Sequence, residues 1–335
     1  MTVGLTAAMI EDEATLGALA PEWWRLWQRS DRATPFQSPG WLMAWWRAFS
    51  PGGLLTAAVR IGGRLAGLAP FYIERQGGRA RILPIGISIS DYLDVLIDPD
   101  MRGPVLASIC KTYDGHAERW AEWEMTELPP GAVALEIPVP RNCETTESVT
   151  VPCPVLSLDA SPCTLDDALP VRTRRKLRMT RHRLDRHGGA AILSAGDRDP
   201  DWWIAQLHRL HSARWSSKGE AGLLRDRRLE AFHKDVMHEF AARGLVRLYA
   251  LTLGDSVAGV YYGFHHGGRA YAYLGGFDPA YSYYSPGTFL MAHAISEALT
   301  EGAREFHFLR GGEAYKYAWG ATDRWNRRRV LRRRG

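Results

Sequence analysis

Apolar positions recur at roughly helical spacing after Ser285, at Phe289, Leu290, Ala292, Ile295 and Leu299, until Gly302 ends the run. Ser285-Pro286 reads as the start of that helix, with serine at the cap and proline in the first turn. Ser38-Pro39 repeats the device ahead of Trp41, Leu42, Trp45, Trp46 and Phe49. A further helix is predicted over 13–29, with Pro21 as a break point. Residues 3–9 read as a short strand. Stretches 54–61 and 65–74 read as strands joined by the hairpin signal Gly62-Gly63. Alternation then predicts strands over 81–89, 91–97 and 133–137, with a helix over 104–113 between the last two.

Residues 138–165 hold five prolines and read as a linker, with a short strand at 155–158 inside it. Beyond it the pattern predicts a basic helix over 165–187 and a strand at 190–194. Helices follow over 201–215 and 226–243, then strands over 246–253, 257–265 and 269–275. The helix after Ser285 and a strand at 305–309 close the series. The two halves thus show a similar order of elements, and Ala66-Gly67 in the first answers Ala258-Gly259 in the second. This predicts an α/β chain with mixed sheets, built as two domains over 1–150 and 151–335.

Net charge is +5, but the excess is local. One basic cluster runs from Arg172 to Arg186, and a second from Arg324 to Arg334 reads as a flexible tail. Phosphate, anionic lipid or RNA would each suit the first cluster, as would a solvated face. The cysteines Cys110, Cys143, Cys153 and Cys163 show no metal-type spacing, so no metal is expected and a reduced, cytoplasmic setting is. The first thirty residues do not read as a signal peptide, and no apolar run approaches membrane-spanning length.

Four groups could carry chemistry. Tyr284, Ser285, Pro286, Gly287 and Thr288 form a helix start, where free backbone N–H groups and the helix dipole favour an anion. His211, with Arg214 and Trp215 behind it, lies on a predicted helix and is able to act as a general base or to sit quietly at the core edge. Asp278, after Phe277, is able to orient an amine, take a proton or cap the Asp-Pro turn. The strand exit at 309–320 gathers Arg310, Glu313, Tyr315, Lys316 and Trp319 around two glycines that permit close approach of a ligand.

Taken together, Phe36-Gln-Ser-Pro-x-Trp41, Asp91-Tyr-Leu-Asp94, Arg174-Arg-Lys-Leu177, His211-x-x-Arg-Trp215 and Gly276-Phe-Asp-Pro279 resemble a known family. Ser285-Pro-Gly287 and Phe308-Leu-Arg-Gly-x-Glu-x-Tyr-Lys-x-x-Trp-Gly320 complete the set. It is that of bacterial acyltransferases associated with cellulose and exopolysaccharide synthesis, within the GNAT (Gcn5-related N-acetyltransferase) superfamily. The resemblance implies tandem GNAT-like domains, as in the Fem-type aminoacyltransferases of peptidoglycan cross-bridges. It implies acetyl-CoA or a longer acyl-CoA as co-substrate, held by Phe277 and residues 284–288. The superfamily's glycine-rich signature is replaced here by Tyr284-Ser-Pro-Gly-Thr288.

Transfer would be direct, from donor to an amine or hydroxyl of a small envelope or saccharide-precursor acceptor, with a backbone N–H near Leu274–Phe277 polarising the carbonyl. The expected catalytic residues are His211, Asp278, Glu313 and Lys316. Arg214, Trp215, Arg310, Tyr315 and Trp319 would hold the acceptor. Two alternatives stand beside this reading. One is an aminoacyl-tRNA-dependent transferase; the other is a non-catalytic partner of a polysaccharide synthase. Contact with a membrane or synthase complex through the basic segments is a further expectation, and nucleic acid is expected only under the tRNA alternative.

Overall fold

The computed structural model describes residues 4–159, 164–216 and 226–334. By internal contacts the chain divides into two compact units: Met1–Pro152 with Arg324–Gly335, and Cys153–Asp323.

The first unit opens with strand β1 (Leu5–Ile10) and helices α1 (Glu13–Ala18) and α2 (Ala20–Arg29), separated just before Pro21. Helix α3 (Pro39–Phe49) starts as expected, with the Ser38 hydroxyl accepting from the Trp41 N–H. Strands β2 (Gly53–Leu54), β3 (Thr56–Ile61), β4 (Arg64–Ala69), β5 (Phe71–Gln76) and β6 (Arg79–Pro84) follow. Next come β7 (Leu96–Ile97), helix α4 (Arg102–Asp114) and β8 (Glu122–Leu128). One sheet runs β1-β3-β4-β7, and β2-β5-β6-β8 pair in a second. Gly62 and Gly63 turn the β3–β4 hairpin with φ of 56° and 82°, values that L side chains resist. Pro70 divides what reads as one strand, so β4 and β5 join different sheets.

Several expectations fail in this unit. Of the strand expected over 91–97 only Leu96–Ile97 forms, because Asp94 turns its carboxylate to the N–H groups of Val95, Val133 and Ala134. Residues 133–136 are a 3-10 helix started by that carboxylate, not a strand. The expected linker is largely strand β9 (Cys143–Ser157), and Pro152 and Pro154 fall outside the stretch Val155–Ser157 that pairs with Glu305–His307. The expected C-terminal tail is strand β15 (Thr322–Arg333), antiparallel to β8, with Arg328 and Arg332 paired to Glu124 and Glu122 across the ladder. Opposed charges across strands make an arginine-rich strand tolerable.

The second unit contains helices α5 (Leu165–Ala168) and α6 (Val171–His187), so Pro170 splits the single basic helix expected there. It continues with β10 (Ala190–Ser194), α7 (Pro200–Ser216), α8 (Arg227–Ala241), β11 (Val246–Leu253), β12 (Ser256–His266) and β13 (Arg269–Phe277). Helix α9 (Pro286–Thr300), strand β14 (Glu305–His307) and helix α10 (Ala314–Tyr317) complete it. The strand order is β10-β11-β12-β13-β14-β9, antiparallel except where α9 crosses over to make β13 and β14 parallel. On one face α6 and α9, the latter through Leu290 and Ile295, join Tyr249, Tyr261 and Phe306 in one core; on the other, α7 packs on β12 and β13 and α8 packs against α7. Cys110, Cys143 and Cys153 are buried, and Cys163 lies outside the described residues. Among the described residues no helix is long and apolar enough to cross a membrane.

Candidate active site

β13 and β14 pair only over Arg269–Tyr271 and Glu305–His307. β13 then runs on through Phe277, about 20 Å of strand at ~3.3 Å per residue. The other chain leaves β14 on the far side, where the Phe308 N–H donates to the Pro154 carbonyl at 2.9 Å. The two strands therefore part at their carboxyl ends and leave a wedge between them beyond the Tyr271–His307 pair. In open α/β sheets ligands bind outside the carboxyl ends of the strands, where such a divergence occurs.

Strain is concentrated at the mouth of this wedge. In the second unit the described non-glycine residues with left-handed backbone are Ser285, φ 50°, and Leu309, φ 61°. Ser285 follows the turn after β13, and Leu309 follows β14. Such conformations cost energy and persist where the surroundings fix them.

Ser285 does precede α9, with Pro286 in its first turn, but in left-handed conformation its hydroxyl makes no capping bond. The Ser285 carbonyl instead accepts from the N–H groups of Thr288 and Phe289 at 3.0 and 3.1 Å. Gly259 of β12 lets this helix start come close: a Cβ there would stand 2.9 Å from Pro286 Cβ and 3.1 Å from Leu290 Cδ1. A Cβ on Gly287 would lie 3.7 Å from the Phe277 ring, so the ends of β13 and α9 meet. Arg183 of α6 donates to the Tyr283 carbonyl at 2.8 Å and lies over the Tyr283 ring, while His187 meets the Tyr284 ring edge-on. The helix start thus has a guanidinium beside it.

The loop after β14 is built around Lys316. Its side chain is 3% exposed, and its ammonium donates to the carbonyls of Leu309, Arg310 and Gly311 at 3.1, 2.6 and 3.1 Å. Glu313, 58% exposed, pairs with the same nitrogen at 2.9 Å. Three carbonyls and a carboxylate surround that nitrogen and make Lys316 a brace for the strained loop. Sequence reasoning found the residue but not this geometry, because its partners are backbone atoms. Tyr315 is exposed beside it, Arg310 is half-buried, and Trp319 is buried in the apolar core.

His211 lies on the other face of the sheet. α7 touches β13 at Gly276, where a Cβ would stand 2.6 Å from the His211 backbone nitrogen. His211 is buried, and His233 of α8 lies near it. Burial first, then His211, pushes the His233 imidazole down to about 3, which keeps it neutral. The side chains of Arg214 and Trp215 lie outside the described residues. Asp278 caps the turn after β13, accepting from the Ala280 N–H at 3.0 Å, with Arg209 3.7 Å away. The structure therefore brings Phe277 together with the α9 start at Tyr284–Thr288, holds Arg310, Glu313, Tyr315 and Lys316 in the loop that follows β14, and sets His211 and Asp278 at the end of β13. Sequence reading missed Arg183, the Leu309 kink and Gly259; the Ala-Gly repeat was the available signal for the last.

A parallel β-strand pair split at its carboxyl ends, with a crossover helix starting at the split, gives the second unit a GNAT fold. Residues 171–317 match the model of the acetyltransferase (GNAT) domain family. Among solved structures the chain is similar to a crystal structure of FemX, at 11% identity and TM-score 0.67, covering 94% of each chain. It is also similar to a conserved protein of unknown function from Bacteroides thetaiotaomicron, at 14% identity and TM-score 0.60, covering 97% of this chain and 100% of that one. A third is the C-terminal domain of a putative lysylphosphatidylglycerol synthetase from Agrobacterium fabrum, at 10% identity and TM-score 0.57, covering 97% and 93%. At these identities the likeness is one of fold. No curated protein matches the sequence.

Proposed function

We propose that the second unit transfers an acyl group directly from acyl-CoA to an amine or hydroxyl of a small acceptor, an envelope or exopolysaccharide precursor. The observation that supports this is the wedge. A thioester arm carrying amide groups can pair with the open edge of β13 along Leu274–Phe277 as an added strand would. The donor's phosphates would then face the α9 start beside Arg183. The acyl carbonyl would meet a backbone N–H of β13, the acceptor would lose its proton to His211 as it bonds the carbonyl carbon, and the C–S bond would break to release CoA as a thiolate that is then protonated. Lys316 and Glu313 would act by holding the 309–313 loop against the arm.

An aminoacyl-tRNA donor is the second reading. It is favoured by the basic helix α6, which reaches the α9 start through Arg183 and His187. Melting temperature with acetyl-CoA, longer acyl-CoAs and free CoA separates the two. A ligand present at ~100 times its Kd adds about 2.7 kcal/mol to the folded state. The acyl-CoA reading expects such a rise, and its loss in Gly287→Trp, where a large side chain beside Phe277 would block the helix start. No rise with any CoA, together with a rise on adding charged tRNA, would overturn it in favour of the tRNA donor.

A further inference from the structure

Helix α6 buries Thr173, Leu177, Thr180 and Leu184, which share one side. The opposite side carries Val171, Arg175, Arg178, Met179, His182 and Arg186, all exposed, with Asp185 as its acidic member. Val171 is 69% exposed and Met179 50%. Arg183 lies on the flank, taken up by Tyr283, so this outer face is separate from the contacts at the donor site.

A solvated face accounts for the arginines, and Val171 and Met179 add two large apolar side chains on the same side. Nucleic acid would use the guanidinium groups and leave Val171 and Met179 in water. Single-stranded RNA is held in grooves with aromatic platforms, whereas α6 has no Phe, Tyr or Trp and presents the convex side of a helix. An anionic bilayer suits both kinds of residue. Lipid phosphates take the arginines, and apolar side chains enter the boundary between headgroups and acyl chains.

We propose that the outer face of α6 is a docking surface for an anionic lipid bilayer. The surface goes beyond the transfer reading and does not depend on it. Binding is chiefly electrostatic, with Met179 and Val171 as shallow anchors, so it weakens steeply with salt.

The test uses the full chain and sedimentation with phosphatidylcholine vesicles made with and without phosphatidylglycerol. Binding is expected only with phosphatidylglycerol. The triple variant Arg175→Glu, Arg178→Glu, Arg186→Glu should bind about 100-fold more weakly, and Met179→Ser roughly 5-fold more weakly. These side chains are exposed, so melting temperature should stay at the parent value and report folding. The rise in melting temperature with a donor should survive in both variants, which separates failure here from failure of the transfer reading. Equal sedimentation with and without phosphatidylglycerol would overturn the proposal, as would an unchanged triple variant. Displacement from the vesicles by uncharged tRNA, with Met179→Ser still binding lipid like the parent, would assign the face to RNA instead.

Discussion

The two units carry one device at corresponding places, and only one of them keeps it open. Gly67 of β4 and Gly259 of β12 each follow an alanine and each lie beneath the helix that leads to the next strand. A Cβ on Gly67 would stand 2.3 Å from Val105 Cγ1 of α4, as one on Gly259 would stand 2.9 Å from Pro286 Cβ of α9. Gly67 is paired to Ile97 and Gly259 to Phe277, and an Asp-Pro follows in both cases. The Asp98 N–H donates to the Ala66 carbonyl at 2.7 Å, and the Asp278 N–H to the Ala258 carbonyl at 3.0 Å.

The units part company at the wedge. Between β6 and β7 the first unit inserts residues 85–95, whose Ile85, Tyr92 and Leu93 are buried. The Leu93 N–H donates to the Glu127 carbonyl of β8, and Asp94 holds Val133 and Ala134. The space that β13 and β14 leave open is filled here by the chain itself. The Asp91-Tyr-Leu-Asp94 motif is therefore a plug in the first unit, and the second has no counterpart to it among its described residues.

The largest effect should come from the buried cations, which each unit uses once to gather carbonyls. Arg329 donates to Ala134, Leu135 and Ile137 in the first unit, as Lys316 does to Leu309, Arg310 and Gly311 in the second. Removing either leaves buried carbonyls without their donor, at about 3 kcal/mol. Chemical denaturation of Arg329→Met and Lys316→Met should show similar losses. Transfer by the protein that remains folded should fall only in Lys316→Met. Equal retention of transfer in both would mean that the 309–313 loop does not line the donor site, and would favour an accessory role for the protein.

The paired glycines give a smaller contrast. Gly67→Ala and Gly259→Ala both overpack a helix on a strand, and each should cost about 1–3 kcal/mol. Gly259→Ala should in addition weaken donor binding, because its Cβ pushes Pro286 and the helix start away from Phe277. Titration with the donor at a temperature where both variants are folded would read this. A Gly67→Ala variant that weakened donor binding as much would erase the distinction between plugged and open copies.

How much of this was written locally decides how much could be read. Both Ser-Pro helix starts, the Gly62-Gly63 hairpin and the order of strands in the second unit follow from neighbours in sequence. β15 was illegible because its arginines are made tolerable by Glu122 and Glu124, roughly two hundred residues away. β8 was missed although Glu122, Trp123, Glu124 and Met125 alternate polar and apolar, and its buried Glu124 is balanced by Arg81 and Arg328 from far along the chain. At the site, residue types pointed to the right loops, but the wedge comes from where pairing stops, and no side chain records that. The serine at the start of α9 suggested a cap; its left-handed backbone, set by the turn after β13, turned the hydroxyl to no such use.

Asp278 gives the smallest expected effect and the sharpest use of the duplication. Its partner by position, Asp98, accepts from the Asp100 N–H at 3.3 Å just as Asp278 accepts from Ala280, and each lies near arginine. Since Asp98 belongs to the plugged copy, the feature they share is the cap on the turn that feeds the next helix. Asparagine keeps an acceptor oxygen for that cap and discards the charge. Asp278→Asn should therefore change stability by less than about 0.5 kcal/mol, while Asp278→Ala, which removes the acceptor, costs about 1 kcal/mol. Transfer rates should follow the same order, with the asparagine variant close to the parent across the pH range. A kcat that collapses in Asp278→Asn while its melting temperature holds would make Asp278 a proton acceptor in the reaction, and would show that the second copy put a structural aspartate to a use its twin does not have.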